Sequence, residues 1–349
     1  MQPAPSRLAP IFDRRLWGMR NLDPLFPEMR DQDPPIAEAW LTGEQCAFAS
    51  GPYAGRKLGE VWPEMPVEWK GTRCLADTQI PLLAKFLFPG DKPSIQVHPD
   101  DAYAAKHEFA RGGRGKTEMW HLVSARAGAE MLVGLRPGVS PETFRGAIAD
   151  GTLEDLLEHI PVRAGDSVFV PAGTVHTVGA GVTLCEIQEQ SDITYRVYDY
   201  KRKDADGKER PLQVDQALAV IRFGEQSGGR IVPVRMASKH LMESWLVACR
   251  YFAVEKWDFD VRIGGVTSPQ SFELLIFLSG TGAIELGGHT EEYARAQAWM
   301  LPAALGPYRL VPRETSSLLR AYVPNLDEVA RQLTDRGIPA VEWARMVFP

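Results

Sequence analysis

Residues Val162 to Glu189 read VRAGDSVFVPAGTVHTVGAGVTLCEIQE, and this stretch decides the fold class. Its runs SVFV, TVHTV and VTLCEIQE are apolar, rich in β-branched residues and too short for stable helices. The breaks between them, Gly165-Asp166 and Gly179 to Gly181, carry the turn residues of antiparallel strands. Upstream, from Pro81 to Leu135, the same rhythm recurs in LLAKFLF, SIQVH, EMWHLV and EMLVGL. It changes between Ser140 and Ile160, where two short helices are expected. Ser140 caps the first with Pro141 at its opening position, and a capping box from Thr152 to Asp155 starts the second. A further helix is expected from about Val214 to Phe223, ended by Gly224.

After a Gly-rich break at Ser227 to Arg230, a second β run follows in WLVACRYFAVEKW, FELLIFLSG, GAIELGG, AQAWMLP and SSLLRAYVP. Within it AWMLPAALGPYRLV echoes SVFVPAGTVHTVGA: LPA answers VPA, and Pro307 or Tyr308 falls where the first copy has His176. A helix from about Leu326 to Arg336, between Asn325 and Gly337, closes the chain. The pattern predicts a mostly β protein of two cupin-type, double-stranded jelly-roll barrels. Residues 1–235 form the catalytic one, with the helical insertion near 139–160, and residues 236–349 a smaller cupin-like one without metal ligands.

Composition agrees and excludes several function classes. A chain of 349 residues with 44% hydrophobic side chains fills two cores, and its 31 Gly and 27 Pro are spread as strand punctuation. A net charge of -6 argues against a surface that tracks nucleic acid, so an anionic ligand must be met by locally placed cations. Cys46, Cys74, Cys185 and Cys249 form no CxxC pair, which speaks against a disulfide framework or a thiolate metal site. No run approaches the roughly 20 apolar residues of a membrane span, and MQPAPSRLAPIF lacks the apolar core of a signal peptide. A cytoplasmic protein with neither nucleic-acid nor membrane partner is expected.

In SIQVHPDD, Gln96 and His98 stand two apart on a strand and so emerge on one face. Glu118 in GKTEMW and His176 in TVHTV supply two further nitrogen or oxygen donors from other strands, and a set of this kind suits zinc or another divalent ion. His107 lies in a short polar helix, and His121, three residues from Glu118, points to the opposite face of its strand. GTGAIELGG joins strands rather than opening a helix and reads as a hairpin, and DADGKER lacks the remaining EF-hand ligands and reads as a surface turn. Trp17, Trp40, Trp62 and Trp69 either line a sugar-binding mouth or fill a core.

The runs PLLAKFLFPGDKPSIQVHPDDAYA, GKTEMWHLVSARAGAEMLVGL, GTLEDLLEHIPVRAGDSVFVPAGTVHTVGAGVTLCEIQEQSDITYRVYD and GKERPLQVDQAL resemble the type I mannose-6-phosphate isomerases, zinc enzymes of the cupin superfamily. The resemblance extends from Pro81 to Arg222, opens faintly in SGPYAGRKLGE and fades over the C-terminal third; without a long helical insertion it implies the short bacterial form. It implies one Zn²⁺ per chain on Gln96, His98, Glu118 and His176, with Lys116 beside Glu118 as an active-site lysine and Arg196 next to the substrate. It implies an acid at Asp192, four residues before Arg196, and a base at Glu186, which alternates with Gln188 on one strand face.

On that reading the enzyme interconverts mannose 6-phosphate and fructose 6-phosphate by proton transfer between C1 and C2 through a cis-enediol. Glu186 carries the proton, while Asp192 orients Arg196 or the sugar hydroxyls. Arg196 and Lys116 bind the substrate, and Lys85, Lys201 and Arg202 are secondary candidates for the phosphate. The residues leave other readings open: a non-catalytic cupin that senses a sugar phosphate, a metal-dependent oxygenase, or an isomerase of another aldose phosphate.

Overall fold

A computed structural model describes residues 2–203, 207–225 and 228–348. Asp204 to Asp206 of DADGKER, and Gln226 and Ser227 at the Gly-rich break, lie outside the described residues.

The strands form two pairs of facing sheets. The first pair has a seven-stranded sheet, ordered Gly229–Arg230, Ser167–Val170, Glu118–Ala125, Val182–Glu189, Leu82–Leu87, Ile36–Trp40, Ile11–Met19. Facing it is a five-stranded sheet, Tyr195–Tyr198, Ile95–Val97, His176–Val178, Glu130–Leu135, Leu157–Pro161. The second pair repeats this order. Its larger sheet runs Ser6–Leu8, Ala298–Leu301, Glu273–Ser279, Ser316–Tyr322, Ala253–Phe259, Leu241–Cys249, Val234–Ala237, with Val347–Phe348 added beside Leu241–Cys249. Its smaller sheet runs Ile263–Val266, Pro307–Pro312, Thr281–Leu286, His289–Ala294. Position by position, Ser167–Val170 answers Ala298–Leu301 and His176–Val178 answers Pro307–Pro312, so the echo read in the sequence is a structural duplication. The N-terminal strand Ser6–Leu8 pairs antiparallel with Ala298–Leu301, which ties the start of the chain to the second pair of sheets.

The central strands are buried on both faces, which explains their nearly continuous apolar spelling. Ala84, Phe86, Met119, Cys185 and Ile187 point outward into a core shared with Leu246, Val254, Leu274, Met300 and Leu319, so the two large sheets pack back to back. Their alternates Leu87, Trp120, Leu122 and Leu184 point inward and meet Met131, Val133 and Val178 of the smaller sheet. By the same alternation Lys85, Glu186 and Glu118 point inward at the other end of these strands, because cross-strand partners share a face: Glu186 opposes both Lys85 and Trp120, and Glu118 opposes Gln188. One end of this interior is therefore a hydrocarbon plug and the other a charged floor.

The insertion packs on the outer face of the five-stranded sheet, where Phe144, Ala147 and Leu153 meet Ile95, Val97 and Leu132. Ser140 caps the helix Pro141–Asp150 by accepting the Thr143 N–H. The second expected helix is one 3-10 turn, Leu153–Leu156; Thr152 makes no side-chain cap, and Leu157–Pro161 is a strand at the edge of the smaller sheet. Pairing with Glu130–Leu135 outweighs the local helix signal there. The helix expected to reach Phe223 covers Val214–Val220, because Ile221 turns extended and buries its side chain. At the C-terminus Leu326–Asp335 is helical, with Asn325 accepting the Asp327 and Glu328 N–H groups.

Candidate metal centre and active site

Two sheets, rather than neighbouring strands of one, bring the four sequence-derived ligands together. Glu118 opens its strand in the seven-stranded sheet. Gln96 and His176 oppose each other on adjacent strands of the five-stranded sheet, and His98 follows two residues after Gln96. The turn that delivers His176 runs through Gly173 at φ +85°, where a Cβ would meet the Val220 carbonyl oxygen at 2.9 Å. Ligand atoms of His98, Glu118 and His176 all lie within 4.8 Å of one another. His176 Nε2 is 3.3 Å from Glu118 Oε1, His98 Nε2 is 3.8 Å from Glu118 Oε2, and the Gln96 amide stands 3.3 Å from His176 Nε2.

This cluster fits a divalent cation. His98 Nδ1 donates to the Ile193 carbonyl at 2.8 Å and His176 Nδ1 to the Thr174 carbonyl at 2.9 Å, which leaves both Nε2 lone pairs facing the centre. Burial holds His176 down to about 4, and burial with the Lys116 charge holds His98 well below the usual imidazole range, so both rings are neutral donors. His98 Nε2 and Glu118 Oε1 are buried without a hydrogen-bond partner, an arrangement that costs free energy unless a cation satisfies them. The Lys116 ammonium stands 2.8 Å from Glu118 Oε2.

Around the cluster lies a cavity of about 370 Å³, lined by Gln96, Lys116, Trp120, His176 and Glu186 deep inside and by Trp17, Trp40, Ser94, Arg111, Asp192, Arg196 and Arg210 nearer the opening. Lys116 Nζ is 3.7 Å from Glu186 Oε1, and Lys85 Nζ lies within 3.9 Å of Glu38, Glu186 and Asp192. Burial alone would depress both lysines; the carboxylates around them outweigh it and keep both ammonium groups charged. Burial raises the Glu186 carboxyl above its usual range, although Lys116 opposes the shift. Trp120 Nε1 donates to Glu186 Oε2 at 3.1 Å and packs edge-on against His176, so the carboxyl is oriented.

Arg196 sits on Tyr195–Tyr198 with Nε donating to Ser94 Oγ at 3.2 Å and Nη1 to the Pro211 carbonyl. Among the described residues no carboxylate lies within ion-pair distance of it. Arg202 and Arg210 both bind Asp199 instead. Asp192 is paired with Lys85, at 3.5 Å, rather than with Arg196. Lys201 is exposed at φ +52° and does not line the cavity, whereas Lys85 is buried within it. Trp17 and Trp40 line the cavity, Lys85 Nζ standing 4.0 Å above the Trp40 ring; Trp62 and Trp69 fill the core. His121 turns away to bond Ser167 on the outer face, and His107 stacks on Tyr103 at the end of Asp101–His107.

Sequence reasoning gave no role to Glu38, Trp120, Arg15, Arg111 or Arg210. Glu38 and Arg15 belong to the N-terminal strands Ile36–Trp40 and Ile11–Met19, whose mixed polar spelling hides them; the Trp17 and Trp40 pair was the available signal. In the second pair of sheets the register equates Glu273 with Glu118, Arg320 with Glu186 and Glu255 with Lys85. There Arg320 binds both glutamates and Tyr308 donates to Glu273, so the position answering a metal ligand is satisfied by a guanidinium.

Comparison with known proteins bears on this site. No protein-family model matches the chain. Mannose-6-phosphate isomerase of Streptococcus mutans is 38% identical over 293 residues, 80% of this chain and 86% of that one. Mannose-6-phosphate isomerase of Bacillus subtilis is 32% identical over 318 residues, 89% of this chain and 96% of that one. A crystal structure of mannose 6-phosphate isomerase from Bacillus subtilis superposes with a TM-score of 0.83 at 29% identity, covering 92% of this chain and 99% of the other. A putative mannosephosphate isomerase from Archaeoglobus fulgidus, 15% identical with a TM-score of 0.73, shares the fold. Relatives this similar, matched over most of their length by a cupin fold, leave one assignment: the chain belongs to the mannose-6-phosphate isomerase family, in its short bacterial form.

Proposed function

We propose that this chain interconverts mannose 6-phosphate and fructose 6-phosphate with one Zn²⁺ bound by Gln96, His98, Glu118 and His176. The observation that carries the reading is the buried His98, Glu118, His176 cluster, with orphaned donor atoms, opening onto a cavity that also holds two lysines, an arginine and an oriented carboxyl. A zinc ion on these nitrogen and oxygen donors would polarise the substrate carbonyl and stabilise negative charge on the enediol oxygens by several kcal/mol.

The chain's own residues do the rest. Glu186 takes the proton from one carbon and returns it to the next, passing through a cis-enediol; its raised affinity for protons and the Trp120 hydrogen bond suit that task. Lys116 and Lys85 hold two ammonium groups in the floor of the cavity, where they meet charge that develops on substrate oxygen. Arg196, without a carboxylate partner among the described residues and fixed by Ser94, meets the phosphate with parallel N–H groups. Asp192, facing Lys85 at the opening, hydrogen-bonds sugar hydroxyls. Residues 1–235 carry the catalytic unit, apart from Ser6–Leu8 and the start of Val234–Ala237, which join the sheets of a cupin-like unit over residues 236–349 that lacks this ligand set. Four buried free cysteines fit the reducing cytoplasm, and no described helix is long and apolar enough to cross a membrane.

A coupled assay on the purified protein, with mannose 6-phosphate and its epimeric sugar phosphates, tests the reading before and after chelation. Turnover of mannose 6-phosphate that is abolished by chelator and restored by Zn²⁺ is expected. Preference for another aldose phosphate would move the substrate assignment, and turnover indifferent to chelation would overturn the metal's role.

A further inference from the structure

The tip of the hairpin between Leu241–Cys249 and Ala253–Phe259 reaches Asp101, which in turn holds the segment that carries Lys116 and Glu118. Arg250 Nη2 donates to Asp101 Oδ2 at 3.0 Å, and the Tyr251 hydroxyl donates to the same oxygen at 3.1 Å. The other oxygen of Asp101 accepts the Gly115 N–H at 2.9 Å. Gly115 lies so close that a Cβ on it would stand 2.5 Å from the Asp101 nitrogen, which no other residue type tolerates. Beside it Glu189 accepts the Thr117 N–H at 2.7 Å, and the Lys116 N–H is held by the Pro99 carbonyl. The backbone from Gly115 to Thr117, immediately before Glu118, thus hangs on Asp101 and Glu189.

Asp101 stands at the first position of Asp101–His107, and nothing within that helix fixes both of its carboxylate oxygens. Arg250 and Tyr251 hold Oδ2 from about 150 residues away, the Arg250 guanidinium lying 4.7 Å over the Tyr251 ring, and leave Oδ1 to the Gly115 N–H. The Arg250–Asp101 ion pair is partly solvated and so adds little to folding, while the Tyr251 ring packs against the margin of the apolar core that joins the two large sheets.

We infer that Arg250 and Tyr251 are positioning residues for the isomerase reaction: through Asp101 they fix the Gly115–Glu118 segment, and this is what the metal-free second half of the chain contributes to the site. The inference deepens the proposed function, since it presumes that Lys116 and Glu118 work in that reaction. A displacement of the reacting groups by a fraction of an ångström is enough to slow catalysis measurably without removing any of them.

The test uses the full chain with Arg250→Ala and Tyr251→Phe, singly and together, and Arg250→Lys as the conservative variant. Amide hydrogen exchange in the peptide covering residues 113–118 is expected to speed up about tenfold in the double variant while the strands of both large sheets stay protected. Zn²⁺ affinity, read by competition with a chromogenic chelator, falls several-fold. With mannose 6-phosphate, kcat falls about tenfold and KM changes less than about twofold, because the phosphate contacts are untouched. Arg250→Lys recovers most of the loss. Unchanged exchange and unchanged zinc affinity in the double variant would overturn the inference. So would a uniform loss of protection across the chain, which would make the contact merely structural. If the parent protein failed to turn over mannose 6-phosphate, the exchange and zinc measurements would still decide this inference while the functional reading fell.

Discussion

Replacing Glu186 with glutamine separates a proton carrier from a structural acid. Four carboxylates, Glu38, Glu118, Glu186 and Asp192, surround the ammonium groups of Lys85 and Lys116. Glu186 is the most distant partner of each lysine, at 3.9 and 3.7 Å, beyond hydrogen-bond reach, whereas Lys116 keeps Glu118 at 2.8 Å and Lys85 keeps Glu38 at 3.4 Å. An amide therefore leaves three carboxylates for two lysines, strands no charge, and still accepts the Trp120 N–H. Stability is expected to change by less than about 1 kcal/mol, and bound zinc by nothing, because Glu186 lies outside the His98, Glu118, His176 cluster. Turnover is a different matter. A positioned acid or base contributes about 10²- to 10⁴-fold, or about 3–5 kcal/mol of barrier, and glutamine cannot carry a proton. The decisive assay follows exchange of solvent deuterium into C1 and C2 of the sugar phosphate together with steady-state turnover and zinc content. Loss of both exchange and turnover at full zinc occupancy is expected. Turnover within about threefold of the parent would refute the assignment and send the search for the base to Asp192 or Lys116.

Arg196→Ala should lower kcat/KM for mannose 6-phosphate by about 100-fold, the value of charge-assisted hydrogen bonds to a phosphate, with zinc content unchanged. An equal loss on unphosphorylated mannose, or release of zinc, would instead mark Arg196 as structural. His121→Gln addresses acid stability. Burial holds His121 down to about 3 in the folded chain against 6.5 when unfolded, so between those values the unfolded state binds a proton that the folded state does not, and stability falls as pH falls. From about pH 7 to about pH 5 this one group costs about 2 kcal/mol, and the glutamine variant should lose that share of the slope in urea titrations at each pH. An unchanged slope would show that His121 is protonated or solvated in the native state. Arg320→Ala strands Glu255 and Glu273 in the second interior and should destabilise the chain by about 3–5 kcal/mol, measured by denaturant unfolding. A loss below about 1 kcal/mol would mean water reaches that network.

Much of the site was legible because a strand's period of two converts spacing into direction. Gln96 and His98, Lys116 and Glu118, and Glu186 and Gln188 were each paired on one face from the letters alone, and the structure has Lys116 beside Glu118 and Gln96 beside His176. Direction along one strand does not say which strands face each other. Hence the letters do not reveal that Glu118 and His176 stand on two different sheets. The strand Leu157–Pro161 was missed for the opposite reason: its local sequence favours a helix, and only the edge of Glu130–Leu135 overrules it. Lys85 is only a secondary phosphate candidate from the sequence, because LLAKFLF sets one charge into an apolar run, a pattern equally compatible with an exposed edge. Its burial follows from Val182–Glu189 placing Glu186 opposite it.

The second pair of sheets shows where such reading stops. The sequence repeat reveals that Pro307 or Tyr308 replaces His176, which reads as simple loss of a site. Register reveals an exchange of charge: lysine opposite glutamate in the first copy, Lys85 and Glu186, becomes glutamate opposite arginine in the second, Glu255 and Arg320. Glu273 keeps the place of Glu118, and the hydrogen bond from Tyr308 at 3.3 Å repeats the separation of His176 from Glu118. A buried glutamate without a cation is costly, so a copy that lost its metal had either to lose the acid or to supply a fixed positive charge. Arg320 supplies it, with Nε at 2.8 Å from Glu273 and Nη1 at 2.9 Å from Glu255. A guanidinium donates hydrogen bonds but offers no open coordination position, so Arg320 cannot supply the Lewis acidity that a metal on the first cluster would. The second half still reaches the surroundings of the first cavity, where Arg250 and Tyr251 meet Asp101.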